Sequence, residues 1–339
     1  MSATLSTMSL SQRAVALCLC LLVGGGVAWY VLSGPAPSTS EATRAVVIRP
    51  QTGAFHIANA LKEAHVIRSR VAFLVVAVAR GTQRRLLAGE YEFAPGLGLL
   101  EVIRRIEQGK GLINQVTIPE GFAARQIAEL LHEKGLVDQD RFMSLLRDRR
   151  LLQQYGVDGQ SLEGYLFPDT YRLVRGLREE AIIELMAHRF TEMFGSAEQA
   201  RARELKMSVA DIVTIASLVE REAMADEERP LVSAVFHNRL RLGMPLQSDP
   251  TVLYGLSRFS GKLTKANLRA PSPYNTYLHR GLPPGPIASP GRASVMAALY
   301  PASSRYLYFV SKNDGTHVFS NTLREHDAMV RRYQIRRAG

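Results

Sequence analysis

The chain has 339 residues, of which 46% are hydrophobic and 22% charged, so it can hold a membrane anchor and two or three compact units. Its net charge of +11 is spread over scattered Arg and Lys residues, without zinc-finger spacing or an aromatic-basic motif. This pattern indicates a globular protein with a basic surface and argues against nucleic acid as a partner.

An uncharged apolar run extends from Ala14 to Leu32 near the N-terminus. At about 1.5 Å per residue it nearly spans a bilayer core, and the aromatic pair Trp29–Tyr30 suits a membrane interface. The alternative is a cleaved signal peptide, but its apolar region is normally shorter and followed by a small-residue cleavage site. The pattern therefore predicts a cytoplasmic N-terminus (1–13), a transmembrane helix (14–32), a linker (33–45) and an exported body.

Cys18 and Cys20 both lie inside this apolar run, and the sequence has no other cysteine. The exported body can therefore form neither a disulfide nor a cysteine metal site. We expect no metal and no cofactor.

Two α/β units follow the linker, and a constant offset of 70 positions relates them. Each is predicted to contain a strand, a turn with Gly53 or Gly121, and an amphipathic helix. Second helices are predicted at Val71–Ala79 and Arg141–Leu151, and the first unit continues with a strand at Leu87–Phe93 and a helix at Leu99–Gln108. The alternative is chance similarity. The matching pairs are Val46/Val116, Ile48/Ile118, Ile57/Ile127, Ala58/Ala128, Leu61/Leu131 and Glu63/Glu133.

A helix is predicted from about Val209 to Ala223, because Ser208 and Asp211 form a pattern typical of a helix start. Apolar residues cover nearly all of its surface, and Glu220 projects from its last turn in line with core positions. A carboxyl group held against apolar walls has a raised pKa, so it can donate a proton near neutral pH and take it back. The structural alternative is an ion pair between Glu220 and Arg221 or Arg239.

Long segments rich in Pro and Gly follow this helix, at His237–Gly255 and Ala270–Gly291. They interleave tyrosines with amide and carboxylate side chains, a composition typical of carbohydrate grooves. A set of purely structural turns is the alternative. The predicted substrate-binding residues are Glu163, Asp249, Thr251, Tyr254, Tyr274, Asn275 and Tyr277.

Several long motifs, in one order, resemble the endolytic murein transglycosylase family of membrane-anchored peptidoglycan enzymes. They cover nearly the whole chain and include LEGYLFPDTY (162–171), IASLVERE (215–222), NRLRLGMPLQSDPTVLYG (238–255), YNTY (274–277), GLPPGPIASPG (281–291) and YLYFV (306–310).

The resemblance implies an α+β protein with an N-terminal transmembrane helix, a LysM-like module at 46–112 and a catalytic domain at 113–339. Residues 113–155 of that domain would be a second related α/β unit. Glu220 matches the family's catalytic glutamate. It would protonate the bond between N-acetylmuramic acid and N-acetylglucosamine, then deprotonate the muramic acid 6-hydroxyl, which closes a 1,6-anhydro ring. The implied partners are nascent glycan strands, the inner membrane and wall-synthesis proteins such as penicillin-binding proteins.

Two rival functions remain open from the sequence. A hydrolase would need a second carboxylate, for which Asp249 is the candidate. A peptidoglycan-binding scaffold without catalysis would need none. The sequence has no HExxH, GxSxG or SxxK motif, which argues against zinc peptidase, α/β-hydrolase and penicillin-binding chemistry.

Overall fold

The computed structural model describes residues 25, 26, 29, 30, 33, 34, 42–49, 52–109, 111, 114–256 and 263–335. The predicted transmembrane helix at 14–32 lies outside these residues except at Gly25, Gly26, Trp29 and Tyr30. Within the described ranges, no helix combines the length and the apolar character needed to cross a membrane.

The chain divides into two compact units. One runs as far as Asn114 and also takes the later segment Arg172–Leu177, and the other contains 115–171 and everything from Arg178 onward. The sequence-based boundary between 112 and 113 lies close to the first division. The sequence-based boundaries did not predict that Arg172–Leu177 belongs to the first unit.

The first unit is built on strand β1 (Arg44–Ile48), which pairs antiparallel with β2 (Gly89–Phe93). Helices α1 (Ala54–Glu63) and α2 (Arg70–Ala79) connect the two strands, and α3 (Leu99–Glu107) follows them. Burial alternates along the end of β1, as expected for a strand with one face on a core. The largest fully buried side chains of this core are Ile57, Leu61, Phe73, Tyr91, Phe93, Ile103 and Ile106.

Strand β3 (Asn114–Thr117) begins a similar arrangement, followed by α4 (Ala124–Glu133), α5 (Gln139–Leu145), α6 (Arg149–Gln154) and β4 (Thr170–Leu173). β3 and β4 form a two-stranded sheet. The single helix predicted at Arg141–Leu151 is wrong, because the structure has two. The Asp148 side chain accepts a hydrogen bond from the Arg150 N–H, which caps a new helix at that point.

The predicted offset of 70 positions is present in the elements themselves. β1 begins at Arg44 and β3 at Asn114, while α1 begins at Ala54 and α4 at Ala124. All five apolar pairs named above are buried in both copies. The two sequences therefore place their apolar side chains in the same way on the same order of elements.

The correspondence continues beyond the predicted region, but at an offset of 80. Tyr91 in β2 matches Tyr171 in β4, and both are buried. The following turns contain Gly96 and Gly176, with φ angles of 82° and 86° that favour glycine. A helix starts at the equivalent position in each copy, α3 in the first and α7 (Glu179–Met193) in the second. The second copy therefore has 80 − 70 = 10 additional residues before its second strand.

The rest of the second unit is mainly helical, and two short strands, β5 and β6, pair antiparallel near its end. Its elements in chain order are α8 (Ser196–Glu204), α9 (Val209–Glu222), α10 (Arg229–Arg241), α11 (Asp249–Gly255), α12 (Arg292–Leu299), β5 (Tyr308–Ser311), β6 (His317–Ser320) and α13 (Leu323–Val330).

Helix α9 is the centre of this unit and packs against α10 and α12. Ser208 and Asp211 form the predicted reciprocal cap at its start. Every residue from Ile212 to Val219 is buried. The backbone turns extended at Ala223, so Glu220 lies in the last turn, where the buried part of the helix ends.

Candidate active site

Glu220 is held by two donors on one oxygen. Its Oε2 accepts a hydrogen bond from the Gly291 N–H at 3.0 Å and lies 3.2 Å from Nη1 of Arg229. Both side chains are largely enclosed, with 7% of Glu220 and 10% of Arg229 exposed. Among the described residues, no group donates to Oε1. One oxygen is therefore fixed to the protein, and the other is available to a substrate.

The arginines expected as structural partners of Glu220 are used elsewhere. Arg221 donates to the Gly121 carbonyl at 3.2 Å, and Arg239 donates to the Leu307 carbonyl at 2.6 Å. The actual partner, Arg229, is the first residue of α10. Its Nε donates to Asp226 Oδ1 at 2.9 Å, and its Nη1 also donates to the Ser294 hydroxyl. These contacts fix the guanidinium and hence the position of Glu220.

A second carboxylate, that of Glu120, also lies against Gly291. Gly291 has no side chain, and a Cβ placed there would overlap the Glu120 carboxylate. Although Glu120 is exposed overall, partial burial of its carboxyl raises its pKa, and the negative charge of Glu220 raises it further. Sequence reasoning missed Glu120. The available signal was a carboxylate between Pro119 and Gly121, in the turn before an amphipathic helix.

Two neighbours of Glu220 line a cavity of about 950 Å³, which Glu220 itself does not line. Gly121 and Arg221 line it, and a Cβ at Gly121 would be 3.6 Å from Glu220 Cγ. Two of the predicted tyrosines, Tyr254 and Tyr274, line the same cavity with ring centroids 4.7 Å apart. Three prolines and Gly285 of the 282–287 segment form part of its wall. The cavity therefore combines aromatic faces with a rigid backbone next to the buried carboxylate.

Glu163, the weakest of the predicted groove residues, also lines this cavity. Its carboxylate accepts hydrogen bonds from the Ala124 N–H at 2.9 Å and from the Tyr254 hydroxyl at 3.0 Å. Burial raises its pKa to about 7, against the lowering effect of these hydrogen bonds. Glu163 thus joins the start of α4 to a tyrosine of the cavity wall.

A smaller cavity, of about 300 Å³, is lined by Glu120 and by residues of the 167–169 segment and α7. Glu120 and Gly121 are consecutive, so neighbouring residues of one turn line the small and the large cavity. Both of these residues also lie close to Glu220. Glu220 itself lines neither cavity, but one of its neighbours lines each of them, and the two cavities could hold parts of one extended ligand.

The remaining predicted groove residues are placed differently. The Tyr277 hydroxyl donates to Asp249 Oδ1 at 2.6 Å, and neither residue lines either cavity. Asp249 is therefore not the carboxylate that the structure brings to Glu220. Nearby, the Ser248 hydroxyl donates to Glu222 Oε1 at 2.6 Å, and burial raises the pKa of Glu222 to about 7.

Thr251 and Asn275 were expected to contact substrate, but both side chains are in the interior. The Thr251 hydroxyl donates to the Ser248 carbonyl at 2.6 Å. The Asn275 amide donates to the carbonyls of Leu268 and Ala270 at 3.0 and 2.9 Å. In loops rich in proline, buried backbone carbonyls need donors, and these two side chains provide them.

The profile of the YceG-like family matches residues 46–332. The chain belongs to the YceG-like family. This YceG-like chain is 33% identical to an endolytic murein transglycosylase of Bacillus subtilis (strain 168), over 92% of its own length and 91% of the relative's.

Other members of the family are also similar. An endolytic murein transglycosylase of Streptococcus pneumoniae serotype 2 is 27% identical over 92% of the chain, which spans 63% of that relative's length. A crystal structure of a yceG-like protein from Listeria monocytogenes has a TM-score of 0.59 at 31% identity, covering 86% of this chain and 99% of that one. The family match contains every element from α1 to α13 and all of β1 except its first two residues.

Proposed function

We propose that this protein is an endolytic murein transglycosylase, a lyase that cuts peptidoglycan glycan strands. The observation that supports this most directly is Glu220. It is an enclosed carboxylate with one oxygen fixed by Arg229 and Gly291, and its neighbours Gly121 and Arg221 line a cavity of about 950 Å³. Two relatives that share most of this chain are named for the same activity.

In the proposed reaction, protonated Glu220 donates the proton on Oε1 to the glycosidic oxygen, because Oε2 is occupied by two donors. The bond between C1 of N-acetylmuramic acid and that oxygen breaks, and its electron pair leaves with N-acetylglucosamine. The muramic acid 6-hydroxyl then attacks C1 and returns its proton to Glu220. The product ends in a 1,6-anhydro ring, and no water is consumed.

The two cavities give this site room for an internal stretch of a strand. Tyr254 and Tyr274 offer ring faces on which sugar faces can stack in the larger cavity. Gly121 lines the larger cavity and Glu120 the smaller one, so the turn that contains both residues borders the two cavities. An enzyme that cuts within a strand needs sugars bound on both sides of the cleaved bond.

Hydrolysis is a second candidate, and Glu120 is the observation that favours it. A hydrolase needs two carboxylates at the cleaved bond, and Glu120 and Glu220 both lie against Gly291. Asp249, the candidate from the sequence, lines neither cavity. A scaffold without catalysis is favoured less, because neighbours of Glu220 line a large cavity.

The location and partners of the enzyme are further parts of the proposal. The apolar run at 14–32 would anchor it in the inner membrane with its body in the periplasm, and the unit at 46–112 would be a LysM-like module that binds glycan. Penicillin-binding proteins and other wall-synthesis proteins would be its partners. These statements are supported by the sequence pattern and the resemblance.

Mass analysis of the products from purified glycan strands tests the proposed function. We expect ends of 1,6-anhydro-muramic acid, which are one water lighter than hydrolysis products and do not react with borohydride. Products that borohydride reduces would identify a hydrolase. The absence of any cleavage by a folded protein would favour the scaffold.

A further inference from the structure

Glu120 has no part in a reaction that needs one carboxylate, yet it lies beside the residue proposed to perform that reaction. The N–H of Gly291 binds Glu220, and the Glu120 carboxylate occupies the space where a side chain of Gly291 would be. Within the part of the chain that the structure describes, nothing forms a hydrogen bond or an ion pair with Glu120. Its position is therefore not explained by a structural contact of its carboxylate.

The local charges make this position costly. Three carboxylates, those of Glu120, Glu220 and Asp226, surround the single guanidinium of Arg229. Arg229 forms ion pairs with Glu220 and Asp226, and these two carboxylates compensate its charge. Like charges that approach each other destabilise a folded protein, and uncompensated groups of this kind are often found at functional sites.

We propose that Glu120 is a second catalytic carboxylate of the transglycosylation centre and stabilises the positive charge that develops at C1 of the muramic acid. This inference rests on the proposed function. Glu220 cannot serve this purpose well, because Arg229 compensates its charge once the proton has left. Glu120 has no such partner, and it is reachable from the small cavity that it lines.

This division of roles requires the one proton of the two carboxylates to be on Glu220. When Glu220 carries the proton, it no longer repels Glu120, which can then be ionised. Glu220 gives its proton to the glycosidic oxygen, and the C1–O bond electrons leave with the oxygen. The 6-hydroxyl oxygen bonds to C1 and its proton returns to Glu220, while Glu120 remains an anion throughout. Preorganised charge of this kind is typically worth about 10²–10³-fold in kcat.

The charged groups that face Glu120 come from several elements. Those near Glu220 are Glu220 itself on α9, Asp226 just before α10 and Arg229 at the first position of α10. Those around the small cavity are Asp169, Arg189, Glu192 and Arg292. Arg189 is paired with Asp169 at 2.7 Å and with Glu192 at 2.9 Å.

The test compares Glu120→Gln with Glu129→Gln, an exposed carboxylate on the following helix, in the full chain acting on purified uncrosslinked glycan strands. We expect Glu120→Gln to lower kcat roughly 100-fold with KM changed less than about threefold, while anhydro ends are retained. The alkaline limb of its kcat profile should move to lower pH. The reason is that the negative charge of Glu120 no longer helps the two carboxylates to retain the proton that they share. Its melting temperature at pH 7 should be no lower than that of the wild type.

Gly291→Ala is the second variant. Its φ of −73° accepts alanine and its N–H still reaches Glu220, but the new Cβ displaces the Glu120 carboxylate. A similar fall in kcat supports the proposal. The proposal is overturned if Glu120→Gln and Glu129→Gln have the same kinetics. If Glu120→Gln does not fold, an unchanged kcat in Gly291→Ala overturns it. Failure of the proposed function is a separate result, since the wild type would then give reducible ends or no products.

Discussion

The backbone N–H of Gly291 donates a hydrogen bond to Glu220 Oε2 at 3.0 Å. This contact joins the residue before α12 to the last turn of α9. Together with Arg229 it occupies Oε2, so that Oε1 is the oxygen that would transfer the proton in the proposed reaction. The arrangement is that of an acid whose orientation is fixed before the substrate arrives.

Glu220→Gln should remove the proton while keeping the size of the side chain and its acceptor oxygen. We expect a folded protein with activity lowered by at least about 100-fold, the low end for the loss of a general acid and base. Release of anhydro products and a thermal melt measure the two properties. A fully active variant would show that the site is misplaced.

Arg229→Met should leave Glu220 enclosed and without its cation. Removing one partner of a buried ion pair typically lowers the free energy of unfolding by about 3 kcal/mol or more. Urea unfolding measures it, and the loss should be smaller in the Glu220→Gln background because no charge is then left unpaired. The control is Arg150→Met, whose side chain is 88% exposed in its pair with Asp148, and a near-zero effect is expected. Equal losses in both backgrounds would contradict the pairing.

Tyr274→Ala should remove one ring from the large cavity. Stacking on an aromatic ring is worth about 1–3 kcal/mol per base in nucleic acids, and a smaller contribution for a sugar predicts a KM roughly 10-fold higher. Steady-state kinetics on glycan strands measure it. Tyr300→Ala is the matched control, since Tyr300 is exposed and lines neither cavity. An equal KM for the two variants would remove Tyr274 from the binding surface.

Glu222→Gln should change the pH dependence of stability. Burial raises the pKa of Glu222 to about 7 in the folded state, so the folded protein binds this proton more tightly than the unfolded chain does. The resulting stabilisation is complete below the ordinary carboxyl pKa of 4.5 and is lost as the pH rises through about 7.

Glutamine does not titrate and can still accept the Ser248 hydrogen bond. Thermal melts of Glu222→Gln should therefore match the wild type near pH 4 and exceed it by roughly 2 °C or more at pH 8. A difference independent of pH would show that Glu222 does not titrate in this range.

The helix that carries Glu220 was predictable because all its signals are local. The Ser208–Asp211 cap, the apolar periodicity and the carboxylate at the end lie within one segment. Glu120 was not predictable in this way. Its relation to Glu220 depends on Gly291, 291 − 120 = 171 positions along the chain, and no local pattern reports such a contact.

The tyrosine-rich loops show a different limit. Their composition predicted Tyr254 and Tyr274 as substrate-binding residues, and the structure places both on the wall of one cavity. It could not separate these from Thr251 and Asn275, whose polar groups bind backbone carbonyls inside the protein. The same types of side chain can line a cavity or bind backbone carbonyls, and the path of the backbone decides between these two roles.

The 10 additional residues of the second α/β copy have a consequence for how this enzyme is organised. They fall between α5 and β4, in the stretch where Val157, Asp158, Gly159, Gln160, Ser161, Glu163 and Tyr165 line the large cavity. The first copy, without the extension, is thus an internal reference for the second. The chain thus contains one copy with the shorter connection and one in which residues of a longer connection form part of the wall of the large cavity.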